Sequence, residues 1–385
     1  MRPALLLAAA GVLAAQAPTL RLPNGLTARL QEDHEAPLIR LEGLVPIDPA
    51  DVPAALPGLP ALLLETLLQG PKGNRSVAEF QGLAEGSAIR LGLRAEGRGW
   101  RLSLVCRSRD QELAFALLGD LLARAVVDPT QLEAARFRLH REQRDAASAA
   151  RARWAAEASG SAQAPPSETT LSKAVQADLE ALQARVLRPE RLRLELQGDL
   201  SPAQAQQLLL LALGAWRPEP APALPPPAPV AEQAQLPLPE APGTLWMALA
   251  VPRPADPAGA LLPLLLPERL EGLQGSGRVG DPWRLRCGGT TPEAALKALE
   301  DRLRGLAFTE ADLAASRSAW RGRRALEALD AGQALAARLE DRPSEEAVAK
   351  LTSADLGRAL AALAAPGARR LLWTGDPVWL KLVRP

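Results

Sequence analysis

Only two histidines, His34 and His140, and two cysteines, Cys106 and Cys287, stand in 385 residues, and there is no tyrosine. With so few of these side chains, several catalytic constellations are closed off at the start. His34 follows Glu32 and Asp33 at a strand end, and each lone histidine reads as a surface or packing residue. His140 has Glu142 two residues on; on a helix such neighbours do not face one another, so they make no ligand pair. Two histidines are too few for a plausible Ser-His-Asp relay. The run Gly272 to Gly280 is glycine-rich, but its spacing matches no phosphate loop and no strand leads into it; it reads as a mobile loop. Cys106 and Cys287 could pair in an oxidising compartment. They are equivalents in an internal repeat, however, and equivalent strands of two packed domains lie beyond bridging distance. Two buried, unpaired thiols are expected.

The elements that must position these groups can be read along the chain. Leu20-Arg21-Leu22 and Leu26 to Leu30 flank Pro23-Asn24-Gly25, a hairpin signal because Asn-Gly suits the primed turns. Leu38 to Val45 is a further strand and Gly58 to Gln69 an apolar helix. Ser76 to Glu85 is a helix whose Ser76 and Glu79 form a capping box. Ile89 to Leu93 and Trp100 to Cys106 are strands; Gln111 to Ala125, Pro129 to Ala150 and Leu171 to Val186 are helices. Ser159 to Ser167 is a loop, and the strand Arg191 to Gln197 closes the series. Strands, then helices, then a closing strand imply an α+β domain with helices on one face of its sheet.

The second half repeats the first. A shift of 181 residues carries Cys106 onto Cys287, Glu112 onto Glu293, Asp120 onto Asp301 and Leu132 onto Leu313. Downstream the shift is 177, carrying Ala177-Asp178-Leu179 onto Ala354-Asp355-Leu356 and Gly198-Asp199 onto Gly375-Asp376. Between the halves, residues 218–242 are rich in proline, favouring extended polyproline II over helix or central strand. The expected organisation is a signal peptide at 1–17, a first domain at 18–217, a linker at 218–242 and a shortened second domain at 243–385.

Composition bounds the function. With 47% hydrophobic and 23% charged residues and a net charge of +1, the chain is an ordinary globular protein. It offers no electrostatic case for nucleic acid or an anionic membrane. Met1-Arg2-Pro3 and the apolar run to Ala15 fit a secretory signal cleaved after Ala15 or Ala17; a buried amino-terminal helix is the alternative. No later segment reaches about 18 uninterrupted apolar residues, so no membrane span is expected after signal removal, and the expected location is periplasmic or extracellular.

Several stretches together resemble the M16 (insulinase, pitrilysin and processing-peptidase) family. They are Asn24-Gly25-Leu26 before a strand, the run Gly58-Leu59-Pro60-Ala61-Leu62-Leu63-Leu64-Glu65-Thr66-Leu67-Leu68-Gln69-Gly70, Asn74-Arg75-Ser76 before a helix, and Leu194-Glu195-Leu196-Gln197-Gly198-Asp199 with the helix that closes at Trp216. The order and spacing carry the likeness rather than any single motif. It covers residues 19–217 and, more faintly, 243–380. The resemblance implies two tandem α+β domains of the LuxS/MPP-like kind, each an antiparallel-rich sheet with helices on one face.

In active members the helix matching Gly58 to Gly70 carries His-x-x-Glu-His, whose histidines bind zinc while the glutamate acts as general base. The aligned positions here are Ala61, Leu64 and Glu65, so both histidines and the base are missing. The third-ligand glutamate corresponds to Glu142, and its companion seven residues earlier to Ala135. Glu65 and Glu142 alone make a poor zinc site; they are expected to line a solvated cleft or pair with arginine. Active relatives also carry an Arg and Tyr pair that grips substrate; the matching region, Leu261 to Pro282, offers Arg269 and Arg278 as weak candidates and no Tyr.

The resemblance is therefore to the non-catalytic subunit type. It implies an inactive partner of an active M16 peptidase, or a self-dimer, enclosing a chamber that binds peptides, with no cofactor. The alternatives are a divergent zinc endopeptidase using Glu65, Glu142 and a further ligand, and a free-standing peptide-binding envelope protein.

Overall fold

Strand β3 (Leu38–Pro46) shows why the first half folds as a layer: Ile39, Leu41 and Val45 are buried while Leu38, Arg40, Glu42 and Leu44 between them are half-buried. That period of two gives the sheet one apolar and one polar face. The computed structural model describes residues 18–97, 99–142, 152, 154, 156, 161–218, 220, 223–224, 233–236, 244–249, 256–270, 273–274, 283–288, 291–340, 342–366 and 368–374. The expected signal at 1–17, the stretch of the fourth helix after Glu142, and residues 275–282 with Arg278 and most of the glycine-rich run lie outside the described residues.

With β1 (Thr19–Arg21), β2 (Thr27–Glu32), β4 (Arg90–Glu96), β5 (Gly99–Arg107) and β6 (Arg193–Gly198), β3 makes a six-stranded sheet of order β1-β2-β6-β3-β5-β4. Only β2 and β6 run parallel. Helices α1 (Leu59–Gln69), α2 (Val77–Gly86), α3 (Gln111–Ala123), α4 (Pro129–Glu142), α5 (Glu168–Lys173), α6 (Gln176–Val186) and α7 (Pro202–Leu213) complete the half. They share one apolar core with the sheet, around Trp100, Phe115, Leu41, Leu63 and Leu196.

The second sheet comprises β7 (Gln233–Leu236), β8 (Thr244–Ala248), β9 (Leu273–Gln274), β10 (Arg284–Gly288) and β11 (Arg370–Thr374), in the order β7-β11-β8-β10-β9. Its helices are α8 (Pro257–Arg269), α9 (Pro292–Arg304), α10 (Glu310–Leu329), α11 (Ala331–Leu339), α12 (Glu345–Ala349) and α13 (Ser353–Ala364). The order reproduces β2-β6-β3-β5-β4, and β7 pairs parallel with β11 as β2 does with β6. The repeat shifts also hold for whole elements: α3, α4, α5, α6 and β6 begin at 111, 129, 168, 176 and 193, their counterparts at 292, 310, 345, 353 and 370.

Four details differ from expectation. Leu171 to Val186 is two helices, because Val175 is extended and its N–H bonds the Asp178 carboxylate at 2.9 Å, starting α6 afresh. The hairpin at Pro23-Asn24-Gly25 is a three-residue loop rather than a primed turn: Gly25 N–H bonds Leu22 C=O at 3.0 Å and Gly25 alone takes a positive φ, 89°. Asn24 instead donates from Nδ2 to Leu213 C=O at 2.7 Å, tying the hairpin to the end of α7. Finally, the proline-rich stretch contributes β7, a proline-free edge strand, and the polar face of the first sheet is covered in part by a helix of the other half.

That cover is reciprocal. Helix α11 packs on β3 and β6, with Leu335 fully buried. Arg29 donates to Arg338 C=O at 2.9 Å and Arg101 meets Glu340 at 3.3 Å. The shift of 181 carries Trp154 onto Leu335, and Trp154 packs against Ala248 and Leu372 of the second sheet. Each half thus lends the other the segment that follows its long helix.

Candidate functional site

The candidate site is built on α1, which is apolar on almost every side because it lies between sheet and helices: Leu59, Leu62, Leu63, Thr66 and Leu67 are buried. Its start is set by Gly58, whose φ of 81° suits glycine. A Cβ there would stand 2.4 Å from the Pro166 backbone. Pro165 and Pro166 therefore lie flush against the start of the helix, held by Thr170 Oγ1 to Pro57 C=O at 2.7 Å and by Ser167 N–H to the same carbonyl at 3.2 Å. At the other end the Lys72 ammonium caps α1, donating to Leu68 C=O at 3.1 Å and Gly70 C=O at 2.9 Å, 5.0 Å above the Phe80 ring. Burial pulls its pKa down to about 8.

Ala61, Leu64 and Glu65 follow at intervals of three and one, so they share a face of α1. Leu64 is buried, Ala61 and Glu65 half-buried. This region packs along α4, where Ala135 is fully buried. One turn on from Ala135, Arg138 reaches across and binds the Glu65 carboxylate through Nη1. Glu142, one turn further, is exposed at the last residue of α4. Position 65 thus holds a charge already neutralised by a guanidinium, next to a methyl and an isobutyl group that donate nothing. This donor set does not fit zinc, which takes imidazole, thiolate or free carboxylate. Among the described residues no cluster of three or more His, Cys, Asp or Glu could hold a metal ion.

The remaining candidates lie apart from this face. His140 Nδ1 is 3.5 Å from Glu168, both exposed. His34 Nδ1 meets Asp199 Oδ1 at 2.7 Å, a hydrogen bond that raises the imidazole's pKa and lowers that of Asp199. Arg269 joins α8 to α10 by binding Asp312, which occupies it within the second half. Cys106 is buried and free, its thiol pushed up to about 12 by desolvation, which makes it inert. Cys287 is free but only half-buried, contrary to expectation; it lies near the end of β10 opposite Leu245 of β8, beyond the two residues that pair with the edge strand β9. Arg138 was not foreseen as a site residue. Its spacing from Ala135 and Glu142, three and four residues, was the available signal.

No family model and no curated protein matches this sequence. Solved structures do match. A peptidase M16 inactive domain from Pseudomonas fluorescens superimposes with a TM-score of 0.70 at 16% identity, covering 94% of this chain and 98% of that one. A protease from Helicobacter pylori gives 0.69 at 13% identity, covering 93% and 99%.

The chain has the M16 peptidase fold.

Two longer M16-like proteins place it further. The periplasmic protease PqqL from Escherichia coli matches with a TM-score of 0.62 at 13% identity, and a variant of the ferredoxin protease FusC, bound to Arabidopsis ferredoxin, with 0.65 at 14%. This chain is covered to 96% and 94% but spans only 49% and 45% of theirs.

Proposed function

We propose that this chain is a catalytically inactive M16 subunit that pairs with an active zinc peptidase and supplies part of a chamber for unfolded peptides. The carrying observation is the Glu65–Arg138 pair. On the helix that resembles the zinc helix, the ligand and base positions are Ala61, Leu64 and Glu65, and the one carboxylate among them is bound by a resident cation. A divalent metal would have to displace that guanidinium and find its other ligands elsewhere. The likeness to an M16 inactive domain supports the same reading. Structures of M16-like proteases, one of them a variant in complex with ferredoxin, support a peptide-binding role for the frame. The apolar amino-terminal run, the periplasmic PqqL and the lack of any described helix long and apolar enough to cross a membrane are consistent with export.

The deciding experiment pairs zinc retention with activity. The mature protein, loaded with zinc and dialysed, should retain far less than one ion per chain and should not cleave unfolded peptides alone. Mixed with the active M16 subunit of its source, it should form a complex by size exclusion with light scattering and change the peptides that are cut. About one zinc per chain, lost in Glu142→Ala together with chelator-sensitive cleavage, would favour a divergent endopeptidase. A monomer that binds peptides without any peptidase partner would make it a free-standing envelope protein, and a self-dimer would show directly in the scattering mass.

A further inference from the structure

The polar face of the first sheet carries a pair of carboxylates that does not belong to the candidate site. In the β3–β6 register Glu42 stands directly opposite Glu195, where cross-strand side chains are close neighbours and like charges repel. Glu195 is answered: Arg29, its partner on β2, binds it. Glu42 is not. Its Oε2 is buried and has no hydrogen-bond partner among the described residues.

The cations around it are engaged elsewhere. Arg101, from β5, meets Glu340 at 3.3 Å and Glu96 at 3.9 Å. Arg94, from β4, holds Glu96 at 2.9 Å. From the other half, α11 brings the Asp330 carboxylate of its N-cap and the bare Gly332, where a Cβ would lie 3.9 Å from Glu42 Oε1. Glu42 therefore faces Glu195, Asp330 and Glu96 as acids, with Arg29, Arg94 and Arg101 each bound to another carboxylate. An ionised Glu42 is short of a counter-charge there, whereas a protonated one is neutral and can donate.

We propose that Glu42 is a proton-sensitive latch between the two halves: protonated, it lets the first turn of α11 seat on the first sheet; ionised, it loosens that seat. Desolvation raises the Glu42 carboxyl from 4.5 to about 7, with the arginines opposing and Glu96 and Asp330 adding to the shift. Because the folded value is raised, the seated state binds the proton more tightly than the open one. Its contribution is complete below about 4.5 and is lost as pH rises through about 7.

Hydrogen exchange of the α11 amides in the full-length protein, corrected for intrinsic rate, tests this. Their opening constant should rise about tenfold between about pH 6 and about pH 8.5. Glu42→Gln, which stays neutral and keeps the donor, should flatten that dependence and keep α11 protected at the higher pH. A pH-independent opening of α11 in the unmodified protein, or a Glu42→Gln slope equal to it, would overturn the latch. Should the variant fail to fold, the carboxyl carbon of Glu42 followed by NMR in the unmodified protein still decides: a midpoint near 7 supports the latch and one near 4.5 removes it.

Discussion

At the scale of single residues, the site is defined by what stands at three positions and by the arginine that answers one of them. Removing that arginine should expose the dependence. Arg138→Ala leaves Glu65 half-buried without its cation; with both side chains partly solvated, the loss should be about 1 kcal/mol or less, read as a small drop in the urea midpoint. Rebuilding the zinc motif is the sharper test. Ala61→His, Leu64→Glu and Glu65→His together supply two imidazoles and a base, yet Arg138 would still point at the new ligand. A neighbouring positive charge opposes a dication, so adding Arg138→Ala should raise zinc affinity at least about tenfold in a competition titration with a coloured chelator. Equal affinity with and without Arg138 would show that it does not guard the site. The assignment of Ala61, Leu64 and Glu65 rests on the resemblance, whereas their sharing one face follows from helix spacing alone. Arg138 was not legible in the sequence, because which side chain of α4 meets Glu65 depends on how two helices pack, and neither helix records that alone.

Individual elements were legible wherever a local signal sufficed. The Ser76 box formed as read, with Glu79 N–H to Ser76 Oγ at 3.3 Å and Ser76 N–H to Glu79 at 2.8 Å. The break between α5 and α6 was missed because no proline or glycine marks it. It lies at Val175, where the Asp178 carboxylate caps a new helix and the Arg136 guanidinium takes the Ala174 carbonyl. A pair of glycines separates local from tertiary effects. Gly58→Ala puts a Cβ into the Pro166 backbone and strains a left-handed residue, so it should cost about 2 kcal/mol or more. Gly82→Ala, inside α2 with nothing within 4 Å of the new methyl, should stabilise by about 0.5–1 kcal/mol. Both follow from denaturant midpoints at unchanged slope; a harmless Gly58→Ala would mean that the Pro165–Pro166 backbone does not lie against Gly58 as described.

At the scale of the whole molecule, the repeat was readable residue by residue, and the two shifts place whole helices and strands on their counterparts. They could not reveal the exchange of covering segments, since a shift says which elements correspond and not which sheet each one lies on. If the halves depend on one another through that exchange, Leu335→Asp should uncouple them: a carboxylate under the first sheet has no partner, and calorimetry should show one unfolding transition splitting into two. A single transition at lower temperature would mean that the halves are joined by more than this contact. The strand orders carry a further consequence, for biosynthesis. In both sheets a strand made late is inserted between two made early: β6 enters between β2 and β3, and β11 between β7 and β8. Neither sheet has a continuous middle until its late strand has emerged, and each insertion must close a long loop of chain before any pairing rewards it. The nascent chain therefore waits twice with an incomplete sheet and open strand edges, first for β6 and then for β11, and those two arrivals rather than the helices should pace its folding.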